Sequence, residues 1–228
     1  MGPDVATARL PREFYPRPAY EVAPDLLGCV IEHETADGLV AVELTEVEAY
    51  AGDADPASHA YRGKTARNAV MFGPPGHAYV YFTYGMHFCV NVVCGPPGVA
   101  VAVLLRAGRV IAGGDLARAR RGGRRGVPDE PARAIADRDL ARGPARLCQA
   151  LAIDRDQNGA DLCDPASPIW VRAQANAPSR AATAATIKAG PRVGVRMGAE
   201  IPWRFWTAND PTVSVYRPHA SVGHGKAR

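Results

Sequence analysis

The sequence predicts an α+β fold built on a mainly antiparallel β-sheet. Three observations carry that reading. Apolar and aromatic β-type runs dominate the chain and follow one another closely, which leaves little room for the long crossovers of a parallel sheet. Turn signals separate neighbouring runs, Asp37-Gly38 between the first pair and Tyr84-Gly85 between an aromatic pair. Helical patterns are few and short. At 228 residues the chain is expected to form one domain with a full core.

In chain order, residues 1–18 are rich in Pro and Arg and read as a flexible arm. Tyr20 to Leu27 forms a short helix with Pro24 in its early turns. Cys29 to His33 and Leu39 to Tyr50 are strands. Residues 51–77 carry Gly, Pro, Asp and Asn and read as a long ordered loop. His77 to Thr83 and Met86 to Val93 are the next strands, and Val99 to Ala107 is a buried one. Asp115 to Arg121 is helical, ended by Gly122 and Gly123. A second helix lies within Asp139 to Ile153, started by Gly143-Pro144, with Leu147, Ala150 and Leu151 on one face. Val193 to Val195 and Val213 to Tyr216 are expected as late strands, and residues 218–228 as a tail. The domain proper therefore spans 19–217.

Net charge is +4, from 27 basic and 23 acidic residues. The span from Arg106 to Arg146 holds eleven arginines against five acids, a net of +6 and more than the whole chain carries. Two readings of that stripe stand: a surface for phosphate backbones, or a solvated loop in a genome that favours Arg. The five cysteines have no CxxC spacing and read as reduced, mostly buried thiols of an intracellular protein. No apolar run approaches membrane-spanning length, and the first residues lack the apolar core of a signal peptide. The six histidines show neither helical i, i+4 pairing nor a Cys partner, so no metal site and no cofactor are expected. There is no Walker loop, no GxSxG, and no GxGxxG before a helix.

Two stretches carry the chemistry. Under strict alternation Val40, Val42, Leu44, Glu46, Glu48 and Tyr50 share one strand face. A carboxylate among apolar groups tends to a raised pKa, which suits a general acid or base. An ion-paired Glu at a sheet edge fits the same pattern. Glu48 is the better candidate because it lies at the strand end. The second stretch, Tyr79 to Met86, places Tyr79 and Tyr81 on one face and Tyr84 beside Gly85 at a turn. Such tyrosines serve either as core or as a platform for flat ligands, but a turn Tyr is expected to be exposed.

Thr45 to Gly52 (TEVEAYAG), His59 with Arg62-Gly63 and Thr65 to Asn68, Met71-Phe72, Tyr79 to Asn91 (YVYFTYGMHFCVN), Val103 to Ala107 (VLLRA), Gly143 to Ile153 and Arg192 to Val195 (RVGV) occur in this order. Together they resemble the alkyladenine (3-methyladenine) DNA glycosylases of the single-domain mixed type, from about residue 20 to 216. The resemblance implies a curved sheet with surrounding helices and a protruding hairpin that inserts into DNA. It implies that an alkylated or deaminated purine is flipped into a pocket and its N-glycosidic bond hydrolysed. By the same matching, Glu48 is the base that activates water, and Arg106 and the Val193 carbonyl help to hold that water. Tyr50, His59 and Tyr81 wall the pocket, with Met71 and Leu104 beside them. Asn91 crowds the exocyclic amino group of normal guanine. Tyr84, with Gly85 and Met86, is the wedge that replaces the flipped nucleotide.

Arg62, Arg67 and Arg146 are expected on phosphates. The implied partner is double-stranded DNA containing damaged purines, bound by a monomer without a membrane. The implied location is the cytoplasm at a bacterial nucleoid, or the nucleus in a eukaryote. No lysine sits near the motif residues in a nucleophile's role, Lys64 lying in the loop and Lys188 far off, so strand cleavage is not expected. His87 departs from the resemblance, since some relatives carry a larger aromatic there. Two other classes compete: a non-catalytic nucleic-acid module that kept the stacking tyrosines, and a small-molecule hydrolase with an aromatic pocket.

Overall fold

The computed structural model describes residues 8–122, 135–173 and 186–219. Helix α1 (Ala19–Leu26) leads into strands β1 (Val30–Thr35), β2 (Gly38–Ala51), β3 (Ala78–Thr83), β4 (His87–Cys94) and β5 (Val101–Ala112). Helix α2 (Gly114–Gly122), β6 (Ala141–Arg142), α3 (Pro144–Leu151), β7 (Ile169–Arg172), β8 (Ile187–Gly190) and β9 (Arg204–Thr207) complete the described elements. The sheet runs β3-β4-β5-β2-β1-β7, with β9 on β2, β8 on β9 and β6 on β5. Every strand pair is antiparallel. The expected α+β class and antiparallel sheet are therefore what the chain forms.

Strand β2 is the centre of the molecule. Its first half pairs with β1, its second half pairs with β9, and β5 runs along the whole of its other edge. The β2–β5 ladder is irregular where it matters most. Leu44 faces Gly108, Glu46 faces Ala107 and Val47 faces Leu105, so Thr45 on β2 and Arg106 on β5 are each an extra residue. Extra residues of this kind re-aim side chains. The main core accordingly takes Val40, Val42 and Leu44 before the irregularity and Val47 and Ala49 after it. Strict alternation across β2, which placed Glu46 and Glu48 with Val40, Val42 and Leu44, is thus corrected. The phase switches at Thr45, and the carboxylates leave the apolar core face. Gly108 is needed there, since a Cβ would stand 2.3 Å from the Glu43 carbonyl oxygen.

Residues 8–18, expected as a flexible arm, instead pack on the body. Tyr15 is fully buried, and the Leu10 N–H donates to the Val171 carbonyl. Apolar anchors inside a polar, Pro-rich segment account for the difference. Residues 1–7 and 220–228 lie outside the described residues, as do Arg124, Arg125 and Arg133 of the basic span.

The late strands also differ from expectation. Neither Val193 to Val195 nor Val213 to Tyr216 is a strand. Their backbone groups are committed to side chains: Val193 N–H to Glu48, Ser214 N–H to Glu46, and the Val213 and Ser214 carbonyls to Arg142 and Arg204. A backbone spent this way has nothing left for a ladder. All five cysteines are free and four are buried. No helix among the described residues is long and apolar enough to cross a membrane.

Candidate active site

The β3–β4 hairpin supplies one wall of the site. Its rungs Tyr79–Asn91, Tyr81–Cys89 and Thr83–His87 share one face, and all six side chains line a cavity of about 530 Å³. That volume suits a small organic ligand. Tyr50, His59, Met71 and Leu104 add further wall, and Pro56 to Ser58, Tyr84, Arg106, Pro144, Ala145, the segment from Val193 to Met197 and His219 also line it. The structure therefore brings Tyr50, His59, Tyr81, Asn91, Met71 and Leu104 together, as expected from sequence. Tyr79 belongs to the core and to the cavity wall at once. Its period-two partnership with Tyr81 was the signal for that double role.

At the hairpin tip the Met86 N–H donates to the Thr83 carbonyl across Tyr84 and Gly85. Tyr84 (φ 52°) and Gly85 (φ 67°) are both left-handed, the backbone of a type I′ turn. A non-glycine residue in that conformation is uncommon, and here it projects a ring that is 85% exposed, with Met86 66% exposed beside it. Large apolar groups held out in this way need a partner surface.

Glu48 is fully buried beneath the cavity. Its Oε1 accepts from the Val193 N–H at 2.7 Å; its Oε2 accepts from Arg106 Nη1 at 3.1 Å and from the Tyr50 hydroxyl at 2.9 Å. All three partners are donors, which fits an ionised carboxylate and fills three of its roughly four acceptor sites. The surroundings of Glu48 are thus polar, not the apolar setting expected from strict alternation. Burial first, and then the Glu48 charge, hold the Tyr50 phenol well above its ordinary pKa, so it remains a donor. Burial opposes the charge on Arg106, but Glu48 and Glu46 overcome it and raise its pKa. Val193 contacts Glu48 through its N–H; the expected role of its carbonyl concerns the water.

Glu46 has a different task. It accepts from Arg106 Nε at 2.9 Å, Arg204 Nε at 2.7 Å, the Ser214 hydroxyl at 2.9 Å and the Ser214 N–H at 2.7 Å. Burial pushes its carboxyl up, yet Arg106, Arg204 and Ser214 hold it below the usual range. Glu46 anchors the arginine that contacts Glu48. Sequence reading passed over Arg204 and Ser214, which lie more than 150 residues away in the chain. It gave no role to Arg192, although that residue opens the matched Arg192 to Val195 stretch, nor to Asp55. The buried Arg192 guanidinium grips both Asp55 oxygens, donates to the Ala49 carbonyl, and sits 4.8 Å from the Tyr50 ring centroid.

His59 contacts the Tyr79 hydroxyl through Nδ1 at 3.3 Å and meets the Tyr81 ring edge-on at 4.4 Å. Burial, reinforced by Arg67, lowers its pKa. The imidazole is therefore neutral at pH 7.

The expected phosphate contacts lie outside the cavity. Arg62 and Arg146 are exposed, and Arg146 faces Asp139 at 3.7 Å. Arg67 donates to the Phe82 carbonyl. Much of the basic span is engaged within the protein: Arg109 with Asp210, Arg118 with Asp115 and Asp137, Arg120 with Thr35, and Arg121 with Gln149. Among the described residues, no group of three or more His, Cys, Asp or Glu gathers as a metal site would require.

The model of the methylpurine-DNA glycosylase family matches residues 13–211. The chain is 53% identical over 212 residues to a protein of Streptomyces avermitilis, covering 92% of each chain. It is 48% identical over 229 residues to one of Leifsonia xyli, covering 99% of this chain and 100% of that one. It is 47% identical over 207 residues to one of Burkholderia lata, covering 91% of each. All three relatives carry the name "Putative 3-methyladenine DNA glycosylase".

Proposed function

The chain belongs to the methylpurine-DNA glycosylase family, and from that premise we propose that it is a monofunctional base-excision repair enzyme that removes 3-methyladenine and related damaged purines from double-stranded DNA. The observation that carries this reading is the buried Glu48, held by Arg106, Tyr50 and the Val193 N–H, three residues that line the aromatic cavity. A purine swung out of the duplex enters the cavity between Tyr50, His59 and Tyr81. A water beside Glu48 and Arg106 attacks C1′. Its proton passes to the Glu48 carboxylate as the C1′–N bond breaks, and the bonding pair leaves with the base. The products are the free base and an abasic sugar with a C1′ hydroxyl.

An alkylated purine is electron-poor and often cationic, so aromatic walls attract it. Neither described lysine, Lys64 nor Lys188, lines the cavity, which supports hydrolysis without strand cleavage. Asn91 donates to the Tyr79 carbonyl at 3.1 Å and lines the cavity, which supports a role in excluding the amino group of guanine. Incubating the protein with duplexes carrying 3-methyladenine, 7-methylguanine, hypoxanthine or 1,N6-ethenoadenine tests the reading. Release of free base without strand scission is expected; no release from any of the four would overturn it.

Tyr84→Ala is expected to weaken binding to a damaged duplex by about 1–3 kcal/mol, the scale of one aromatic–base stack. Fluorescence anisotropy reads it, and unchanged binding removes Tyr84 as the wedge.

A pH dependence follows from His59. Its folded-state pKa lies below the ordinary value of 6.5, so the neutral form is favoured. The associated stability is complete above that value and is lost as pH falls through the lowered one. Protonation also places a second cation beside a cationic base. Affinity for a 7-methylguanine duplex is expected to fall roughly tenfold as His59 gains its charge, on the scale of 1–2 kcal/mol of like-charge repulsion. The loss should be absent in His59→Phe. An identical pH profile for the two proteins would sink the idea.

A further inference from the structure

Among the described residues, two arginines line the cavity. Arg106 is committed to Glu46 and Glu48. Arg196, three residues beyond Val193, is exposed and has no ion pair or hydrogen bond among the described residues. His87 stands on the hairpin side, opposite Thr83 on the last β3–β4 rung before the Tyr84 turn. Its imidazole has no hydrogen bond among the described residues, and Nδ1 is buried without a partner. Strand β5 separates β4 from β2, whose Glu48 holds the Val193 segment. His87 thus starts from β4, and Arg196 from a loop tethered at Val193 to β2, two strands or about 10 Å across the sheet, and both line the cavity. Among the described residues, no Asp or Glu lines the cavity.

This placement has a consequence for the backbone of a flipped nucleotide. The base descends toward Glu48, while the sugar and its two phosphodiesters remain at the mouth. Each phosphodiester carries a negative charge that water no longer fully solvates. The basic span supplies little at this point, because several of its described arginines are paired within the protein. We propose that Arg196 and His87 grip the two phosphodiesters flanking the flipped nucleotide, one from each side of the mouth. The guanidinium donates to one phosphate as a fork, and an imidazole N–H donates to the other. The proposal rests on the base-flipping reading above.

The test is a chemical double-mutant cycle. The probe is a duplex with one ethenoadenine made uncleavable by a 2′-fluoro sugar. Its 5′ or its 3′ flanking phosphate is replaced by a neutral methylphosphonate. Affinities are measured for the wild type, Arg196→Gln and His87→Phe, with thermal midpoints recorded alongside. Should His87→Phe fail to fold, His87→Gln takes its place. Each variant is expected to bind the all-phosphate probe roughly tenfold or more weaker, the scale of one charge-assisted hydrogen bond. Each should lose no further affinity at one linkage, a different one for each variant, while still losing the wild-type factor at the other. Arg196→Gln should also lower the salt slope by about 1.

Additive losses at both linkages would overturn the grip, because a merely structural role does not couple to one particular phosphate. Coupling of both variants to the same linkage would overturn its two-sidedness. Base release by the wild type from a cleavable all-phosphate duplex is assayed in parallel. Coupling without release would sink the glycosylase reading and leave the grip standing; release with additive losses would do the reverse.

Discussion

Glu48→Gln is expected to slow base release by about 10²–10⁴-fold under single-turnover conditions while binding to damaged duplex is largely retained. The amide keeps the shape of the side chain but cannot take a proton from water. It also meets a shell made entirely of donors: the Val193 N–H at Oε1, and Arg106 and Tyr50 at Oε2. Whichever way the amide is turned, its NH₂ faces a donor, and stability should fall by about 1–3 kcal/mol. The thermal midpoint is therefore measured with the rate, and both are taken well below it. Wild-type release by a folded Glu48→Gln variant would remove Glu48 from the chemistry. Loss of binding in parallel with the rate would make it a structural carboxylate only.

Asp55→Asn is expected to have the largest effect on folding. Arg192 and Asp55 are both buried, with side chains fully inaccessible, and joined through both carboxylate oxygens. Removing one partner leaves an uncompensated charge in the interior, at a cost of about 3–5 kcal/mol. For a chain of this size each kcal/mol lowers the midpoint by roughly 2–4 °C, so a drop on the order of 6–20 °C is expected by calorimetry. Activity should suffer below the midpoint as well. Arg192 packs on Tyr50 and immediately precedes Val193, so its displacement loosens two of the three groups that hold Glu48. A double replacement by apolar residues should recover much of the stability, since it leaves no orphan charge. An unchanged midpoint in Asp55→Asn would show that the pair is dispensable.

Several features were legible in the sequence for a common reason. The β3–β4 hairpin, the exposed Tyr84 and the α3 start at Gly143-Pro144 depend on residues within a few positions of one another. Turn chemistry and period-two alternation act over that range. The shared face of Tyr79 and Tyr81 was legible too, because alternation holds along a regular hairpin, whereas the wall roles of Tyr81 and Asn91 came only with the family resemblance. Alternation failed on β2 because the extra residue at Thr45 is matched by one at Arg106, sixty positions on. Neither strand alone records that mismatch.

By itself, then, the sequence determined the antiparallel sheet, the hairpin, and the cast of aromatic, carboxylate and arginine side chains. Tertiary structure alone decided how that cast is divided: Glu48 held by three donors, Glu46 as anchor for Arg106 and Arg204, and Arg196 left exposed at the cavity while several described arginines of the basic span pair within the protein. The physical reason is range. Propensity and alternation act between neighbours, whereas a buried carboxylate takes its role from the donors that folding brings to it, here, Tyr50 aside, from positions 58 to 168 residues away.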